Sequence, residues 1–448
     1  MAQGLAMTGP DAPETRPETN AEGGSPTDGL AARRAAMALV GGALSQRGGL
    51  DDALDGSNFA GLDTRDRGLA RMLAMTVLRR LGPIDARLAT RLKKPPPQAV
   101  TELLRLGAAQ LAYLDIPAFA AVDTSVRLAA EQASTRPFKG LVNAVLRELG
   151  RAPAEPDAPE TLVPDWLFAR WTQAFGVEAA RAVASQLAEE PATDLTPRRL
   201  EDAKTLAADL EASPLAGGSL RSQRRGEVSQ WPGYDEGLWW VQDAAAAIPA
   251  RLLALRPGET ALDLCAAPGG KTLQMAAAGA RVTALDRSAP RLRRLTQSLA
   301  RTGLEAEVVA APAETWDDPR QFDAVLLDAP CSATGTFRRQ PEVLWNARPG
   351  DIVKLAQVQA RLLDHAAGRV APGGRLIYCV CALEPEEGEQ QAAAFAARHP
   401  EFAPLPLEPG EAGAPEGSIT PEGWLRTLPH LIPGGLDGFF AARWRRAR

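Results

Sequence analysis

The sequence lacks any apolar run long enough to cross a membrane. A transmembrane helix needs roughly 20 consecutive apolar residues, and the 448-residue chain has no run of about 18. Hydrophobic residues make up 45% and charged residues 23% of the chain, which is typical of a globular protein. We therefore expect no membrane partner, and a chain long enough for two or three domains.

Cysteine is also scarce. The chain has four cysteines, all in its second half, at Cys265, Cys331, Cys379 and Cys381. Four cysteines in a chain of this length do not make a disulfide framework, which favours a cytoplasmic location. No histidine flanks them, and Cys-x-Cys is not the usual zinc-binding spacing of two to four residues, so we expect no metal.

The chain carries little net charge, but that charge is unevenly spread. The formal net charge is −5, which argues mildly against a nucleic-acid partner. Residues 1–30 contribute a net −4, whereas residues 61–105 hold ten Lys and Arg against four Asp and Glu, a net +6. A phosphate backbone responds to local basic surfaces rather than to the total charge.

Composition and hydrophobic periodicity divide the chain into five segments. Residues 1–28, rich in Pro, Gly, Thr and Glu, predict a disordered tail. Residues 29–150 show helical spacing and few strand signals, which predicts an all-α bundle. The Pro-rich residues 151–163 predict a linker. Residues 164–255 predict a connecting α+β subdomain, and residues 256–448 a Rossmann-like α/β domain.

The basic residues of the helical segment permit two interpretations. They either form the solvated face of a plain bundle or dock RNA through its phosphates. Composition alone does not separate the two. Nine basic residues lie between positions 65 and 94, and the RNA-contact candidates retained among them are Arg79, Arg80, Lys93 and Lys94.

Residues 324–332 place a carboxylate and a thiol at the end of a predicted strand. Four apolar residues, 324–327, suit a buried parallel strand, and Pro330 ends it. Asp328 and Cys331 then lie at the carboxyl edge of the sheet, where open α/β sheets bind their ligands.

A second predicted strand, 260–264, leads into a loop of small residues that opens a helix. Two glycines let backbone N–H groups approach a ligand there. A phosphate-binding P-loop would need glycine where Cys265 stands, and the Gly-x-Gly-x-x-Gly pattern is also absent. A nucleoside-type cofactor loop remains. Asp286, about twenty residues later, ends the next strand, where an acid either binds ribose hydroxyls or caps a helix.

Two further features adjoin this edge. Arg338 and Arg339 belong either to a solvated turn or to a clamp on a phosphate or base near the thiol. The strand 375–381 ends in Cys381. A cysteine in a strand is usually a small buried hydrophobe, but two strands that each end in cysteine at one sheet edge suggest a thiol nucleophile.

Three motifs, in this order, resemble those of the RsmB/Sun-type RNA cytosine-C5 methyltransferases, relatives of the NSUN enzymes. They are Asp-Leu-Cys-Ala-Ala-Pro-Gly-Gly-Lys-Thr at 263–272, Leu-Asp-Ala-Pro-Cys-Ser-Ala-Thr-Gly at 327–335, and Tyr-x-x-Cys followed by Pro-Glu-Glu at 378–387. The resemblance covers residues 29–448. It implies a class I S-adenosylmethionine-dependent methyltransferase core behind an N-terminal all-α NusB-like domain, with small-subunit ribosomal RNA as substrate. We expect a monomer.

The resemblance also implies roles for individual residues. Cys381 matches the family's nucleophile and Cys331 its second cysteine, which helps to release the product. Asp328 would contact the cofactor side and the cytosine ring, and Asp286 the ribose hydroxyls. The full set expected to hold S-adenosylmethionine is Cys265, Ala266, Ala267, Pro268, Gly269, Gly270, Lys271, Asp286, Arg291 and Asp328.

The sequence departs from the family pattern in three places. Val380 and Ala382 replace the Thr and Ser that flank the nucleophile. Pro312 stands where the family has an Asp for the adenine amino group, with Glu314 as the candidate substitute. Residues 191–197 lack the expected Arg and Asn, which would alter either the substrate-binding neck or the choice of RNA target.

Three functions are therefore compatible with the sequence. The first is methylation of small-subunit ribosomal RNA, and the second is the same reaction on transfer RNA or another RNA. The third is a non-catalytic RNA-binding assembly factor that keeps the fold. A binding module has no need of Asp328, Cys331 and Cys381 together, which argues against the third.

Overall fold

The computed structural model describes residues 28–45, 49–54, 56–152 and 156–448. The predicted tail, 1–28, lies outside the described residues except for its last residue. In these ranges, no helix combines the length and the apolar character that a membrane crossing requires.

The N-terminal region is helical, and up to residue 152 the described residues form no strand. Its apolar face packs into one core that includes Leu103 and Leu104, both buried as their helical spacing predicts. Asp63 caps the fourth helix by accepting a hydrogen bond from the Asp66 N–H. The helices are α1 (Asp28–Leu44), α2 (Gly49–Leu54), α3 (Ser57–Ala60), α4 (Thr64–Arg79), α5 (Leu81–Ala89), α6 (Gln98–Tyr113), α7 (Ala118–Glu131) and α8 (Lys139–Leu149).

The connecting region mixes helices with a small antiparallel sheet of strand order β2-β3-β1-β4. Leu162 and Val163, at the end of the predicted linker, are buried in a cluster with Trp171, so this part of the linker is packed structure. The elements are α9 (Asp165–Phe175), α10 (Val177–Ser185), β1 (Thr193–Pro197), α11 (Ala203–Asp209), β2 (Ala212–Pro214), β3 (Leu220–Ser222), β4 (Trp239–Val241) and α12 (Ala244–Leu252).

The C-terminal region is built on a large sheet of strand order β10-β12-β9-β8-β5-β6-β7, with β11 paired to β12. Strands β9, β8, β5, β6 and β7 run parallel, and β12 is antiparallel to β9. The elements are β5 (Thr260–Leu264), α13 (Gly270–Ala277), β6 (Arg281–Asp286), α14 (Ala289–Thr302), β7 (Glu307–Ala310), β8 (Phe322–Asp328), α15 (Glu342–Asn346), α16 (Pro349–Gly368), β9 (Val370–Val380), α17 (Glu389–Arg398), β10 (Phe402–Pro404), β11 (Leu425–Thr427) and β12 (Phe439–Arg446).

The central strand of this sheet has the buried character that its sequence predicts. All four apolar residues of β8 that precede its terminal Asp are fully buried, as in parallel sheets covered by helices on both faces. Strands β5 and β8 are direct neighbours in parallel register. The residues that follow these two strands therefore meet at one edge, and the predicted Rossmann-like α/β core is confirmed.

Candidate active site

A cavity of about 550 Å³ opens at the carboxyl ends of β5, β6, β8 and β9. Its lining includes all of the candidate cofactor residues and both cysteines of the predicted pair. The parallel strands bring them together because their carboxyl ends share one edge of the sheet. The cavity thus collects residues separated by more than a hundred positions in the sequence.

Two of the cysteines are in contact. The Sγ atoms of Cys331, in the loop after β8, and Cys381, directly after β9, lie 3.5 Å apart. Both side chains are partly exposed, whereas Cys379 is buried, with its Sγ 3.5 Å from Asp328 Oδ1. The hydrogen bond with Cys381, together with burial, raises the pKa of Cys331 well above its ordinary value.

An ion pair lies next to this thiol pair. Lys271 Nζ is 2.7 Å from Asp328 Oδ2 and 4.9 Å from the centroid of the Phe439 ring. Burial alone would lower the pKa of Lys271, but Asp328 outweighs it, and the pKa is raised. Lys271 is therefore a permanent cation at the cavity wall.

In the loop from Cys265 to Gly269, the backbone passes close to its neighbours, as the glycines of this stretch predict. Gly269 has a φ of 113°, and a Cβ atom there would lie 2.3 Å from a Leu295 side-chain carbon, so only glycine fits. The Ala267 N–H donates to Asp286 Oδ2 at 3.1 Å. The loop is thereby tied to the end of β6.

Asp286 is not the cap of α14. Ser288 holds that position and accepts from the Arg291 N–H, while Asp286 accepts from the Ser288 N–H at 2.8 Å. Arg291 Nη1 lies 3.6 Å from Asp286 Oδ2, at the cavity wall. The position of Asp286 thus favours the ligand role over the capping role.

Asp263 is a site residue that the sequence argument passed over. Its carboxylate is fully buried and accepts from Thr272 Oγ1 at 2.6 Å. Its second oxygen, Oδ1, has no hydrogen-bond partner among the described residues, although Asp263 lines the cavity. Burial raises the pKa of Asp263 to about 7. The sequence feature that could have identified Asp263 is its place in the motif, two residues before Cys265.

Glu314 also lines the cavity, whereas Pro312 is exposed beyond the end of β7. The position of Glu314 is compatible with its candidate role as the substitute acceptor for an adenine amino group.

Arg338 and Arg339, paired in the sequence argument, occupy different environments. Arg338 is buried, donates to the Gly434 carbonyl at 2.5 Å and lies 3.8 Å from Asp243. The burial of its guanidinium argues against the predicted RNA contact of Arg338. Arg339 lies at the cavity wall and forms an ion pair with Asp437. Burial raises the pKa of Asp437 to about 6.

The structure also corrects two of the candidates in the helical region. Arg79 is buried and donates to the carbonyl of Glu189 at 3.0 Å. Arg80 donates to Asp157 at 2.8 Å and to the Ala188 carbonyl at 3.0 Å. Both guanidinium groups are held by protein partners, which argues against their predicted RNA contacts.

Lys93 and Lys94, by contrast, are exposed in the turn between α5 and α6. They remain predicted RNA contacts.

The fold and the site define an enzyme core of the Rossmann-like α/β class behind an all-α domain. Residues 250–445 match the family model described as 16S rRNA methyltransferase RsmB/F, and residues 30–151 match the NusB family. A ribosomal RNA small subunit methyltransferase B from Sodalis glossinidius is 38% identical over 86% of this chain and 90% of its own length.

Solved structures have the same architecture. The crystal structure of PH0851 covers 93% of this chain and 99% of its own, with a TM-score of 0.77 and 23% identity. A methyltransferase homologue protein from Pyrococcus horikoshii covers 63% of this chain and 95% of its own, with a TM-score of 0.54 and 26% identity. The chain belongs to the RsmB/F family of 16S rRNA methyltransferases and is an RNA methyltransferase. The predicted family and fold class are confirmed.

Proposed function

We propose that this protein transfers a methyl group from S-adenosylmethionine to carbon 5 of a cytosine in small-subunit ribosomal RNA, through a covalent bond between Cys381 and the base. The observation that carries the proposal is the thiol pair, Cys331 and Cys381, 3.5 Å apart beside the Asp328–Lys271 ion pair. The relatives named ribosomal RNA small subunit methyltransferase B support the choice of RNA.

The cavity suits S-adenosylmethionine, which carries a sulfonium and an ammonium cation. Five acidic side chains line it, those of Asp243, Asp263, Asp286, Glu314 and Asp328. The unpartnered Oδ1 of Asp263 is a buried acceptor that a cationic donor would satisfy. Asp286 is placed for ribose hydroxyls. When bound, S-adenosylmethionine supplies an electrophilic methyl group and leaves as S-adenosylhomocysteine.

The chain's own part in the reaction begins with Cys381. Its thiolate adds to carbon 6 of cytosine, forming an Sγ–C6 bond and moving the electrons of the C5=C6 double bond to make carbon 5 nucleophilic. The new pair at carbon 5 takes the methyl group. The cationic side chains of Lys271 and Arg339 line the same cavity as Cys381.

Asp328 orients the ring. Once N3 of the adduct carries a proton, its N–H can donate to this carboxylate, which stabilises the adduct. Lys271 and the Cys379 thiol hold the two oxygens of that carboxyl group in place. The target base must first leave its stack, at a cost of a few kcal/mol in a duplex and less in a loop.

Cys331 completes the cycle. It accepts the proton of carbon 5, directly or through water, so that the C–H electrons restore the C5=C6 double bond and the Sγ–C6 bond breaks. The main cause of its raised pKa is the hydrogen bond to Cys381.

The test is mass-spectrometric mapping of 5-methylcytosine in naked small-subunit ribosomal RNA after incubation with the protein and S-adenosylmethionine. One modified cytosine is expected, and bulk transfer RNA serves as the comparison substrate. Modification of transfer RNA alone would replace ribosomal RNA as the substrate. Cofactor binding without methylation of either RNA would support a non-catalytic assembly factor.

A further inference from the structure

The loop that carries Cys331 lies against two buried carboxylates. Glu384 and Glu387 follow β9 and are 1% and 0% exposed. Neither is among the residues that line the cavity. Carboxylates are almost never fully buried without partners, and the partners of this pair identify what they do.

Glu387 binds the loop at the residue next to Cys331. Its Oε1 accepts from the Ser332 N–H and from Gln359 Nε2, both at 2.9 Å, and its Oε2 accepts from Ser332 Oγ. Gln359 Nε2 also donates to the Pro330 carbonyl at 2.9 Å. The residues on both sides of Cys331 are thus attached, directly or through Gln359, to one carboxylate.

Glu384 anchors the same loop further along. Its Oε2 accepts from Ser332 Oγ at 3.2 Å and from Thr334 Oγ1, and its Oε1 accepts from Trp171 Nε1 at 3.4 Å. Thr334 Oγ1 accepts in turn from the Leu383 N–H at 3.0 Å. The loop after β8 is therefore bound to the segment after β9, which carries Cys381.

The backbone of the loop needs such support. Ala333 has a φ of 56°, in the left-handed region that alanine rarely adopts. A strained conformation of this kind persists only where its surroundings hold it. The carboxyl group of Glu387 supplies the acceptor for the Ser332 N–H next to this strained residue.

We propose that Glu387 is a positioning residue that holds Cys331 next to Cys381 and so controls the release of methylated RNA. This inference rests on the proposed function, since it assigns Cys331 the proton-removal step. Without Glu387, the Ser332 N–H loses its acceptor and the loop relaxes. The Cys331 sulfur is then displaced from carbon 5, the proton stays there, and the Sγ–C6 bond does not break.

The test compares Glu387→Ala with Glu387→Gln, which keeps an oxygen acceptor for Ser332 and Gln359. Glu386→Gln is the matched control, because the side chain of the adjacent Glu386 pairs with Arg170 at 2.6 Å, and within the described part of the chain the Cys331 loop donates its hydrogen bonds to Glu384 and Glu387 instead. Two quantities are measured. The first is the fraction of protein joined to RNA on denaturing gels, and the second is the iodoacetamide labelling rate of Cys331 by peptide mass spectrometry.

In Glu387→Ala we expect at least ten times more RNA–protein adduct than in the wild type, while a single round of methylation persists. We expect the same of Cys331→Ala, which lacks the thiol that removes the proton. Cys331 should be labelled several-fold faster. Glu387→Gln should stay within about threefold of the wild type on both readouts, and Glu386→Gln should equal it. A merely structural role would instead lower adduct formation and methylation together.

The proposal is overturned if Cys331 in Glu387→Ala is labelled at the wild-type rate. It is also overturned if Cys331 is labelled faster but Glu387→Ala forms no adduct, under conditions in which Cys331→Ala does form one. If Glu387→Ala fails to fold, Ser332→Ala removes only the hydroxyl contacts and must also speed the labelling; an unchanged rate there overturns the proposal. Absence of methylation and adduct in both the wild type and Cys331→Ala would refute the proposed function instead, and the labelling rates would still decide whether Glu387 positions Cys331.

Discussion

The carboxyl edge of the large sheet and the basic stretch of the helical domain were both chosen from the sequence as functional, and they fare differently. At the sheet edge, Asp328, Cys331 and Cys381 converge on one cavity. In the helical domain, Arg79 and Arg80 bind the connecting region instead of facing solvent. Of the four RNA-contact candidates there, Lys93 and Lys94 are exposed.

The difference lies in what each pattern determines. A residue that ends a parallel strand must lie at the carboxyl edge, wherever the strand sits in the order. A basic residue on a helix can face solvent or another domain, and the helical period does not distinguish the two. Arg80 and Arg87 join the helical domain to the stretch that follows it, because Asp157 accepts hydrogen bonds from both, and from Tyr113.

The largest effect should come from Cys381→Ser at the sheet edge. The hydroxyl is nearly isosteric with the thiol but a far weaker nucleophile at neutral pH. We expect methylation to fall by at least a thousandfold, while affinity for S-adenosylmethionine, measured by calorimetry, changes less than threefold. Turnover near the wild-type rate would remove Cys381 as the nucleophile.

Asp157→Ala should act on stability rather than chemistry. It would leave Arg80 and Arg87 without their buried carboxylate, at a cost of roughly 3 kcal/mol. Asp85→Ala is the control, because the Asp85–Arg105 pair is more exposed and should contribute less than about 1 kcal/mol. Denaturant unfolding measures both, and equal losses would contradict the docking role of Asp157.

Asp263→Asn should reveal the cost of a buried carboxylate at the site. The folded-state pKa of about 7 lies above the ordinary 3.8. The native state therefore holds the extra proton between those values, and wild-type stability falls as the pH rises through them. From pH 4 to pH 8 the unfolding free energy of the wild type should drop relative to Asp263→Asn, by as much as roughly 4 kcal/mol. Parallel pH profiles of the two proteins would contradict this.

The smallest effect is expected at the exposed turn. Reversing the charge of Lys93 and Lys94 together should leave stability within about 0.5 kcal/mol. RNA affinity should fall several-fold, and the salt dependence of binding should become shallower by roughly one unit of slope per lost phosphate contact. The comparison is Lys354→Glu, a single exposed reversal on α16. If the wild type, the Lys93 and Lys94 double variant and Lys354→Glu all show the same salt slope, this turn makes no RNA contact.

The sequence by itself determined which residues end the central strands and therefore which edge of the sheet is the active one. It also determined the all-α character of the N-terminal region and the glycine requirement at Gly269. These features depend on local period, strand length and backbone freedom, which are properties of short stretches. That is why the cofactor loop and both cysteines could be named before any coordinates.

Only the tertiary structure decided which of these residues touch. The contact between Cys331 and Cys381 joins positions fifty residues apart. The buried state of Arg79 depends on how two regions pack, and Asp157, in a stretch whose composition predicts a linker, is the carboxylate that holds them together. Glu387 belongs to a motif visible in the sequence, but its role as a support for the Cys331 loop follows from hydrogen bonds between segments. Such long-range contacts are set by strand order and packing, which no local pattern specifies.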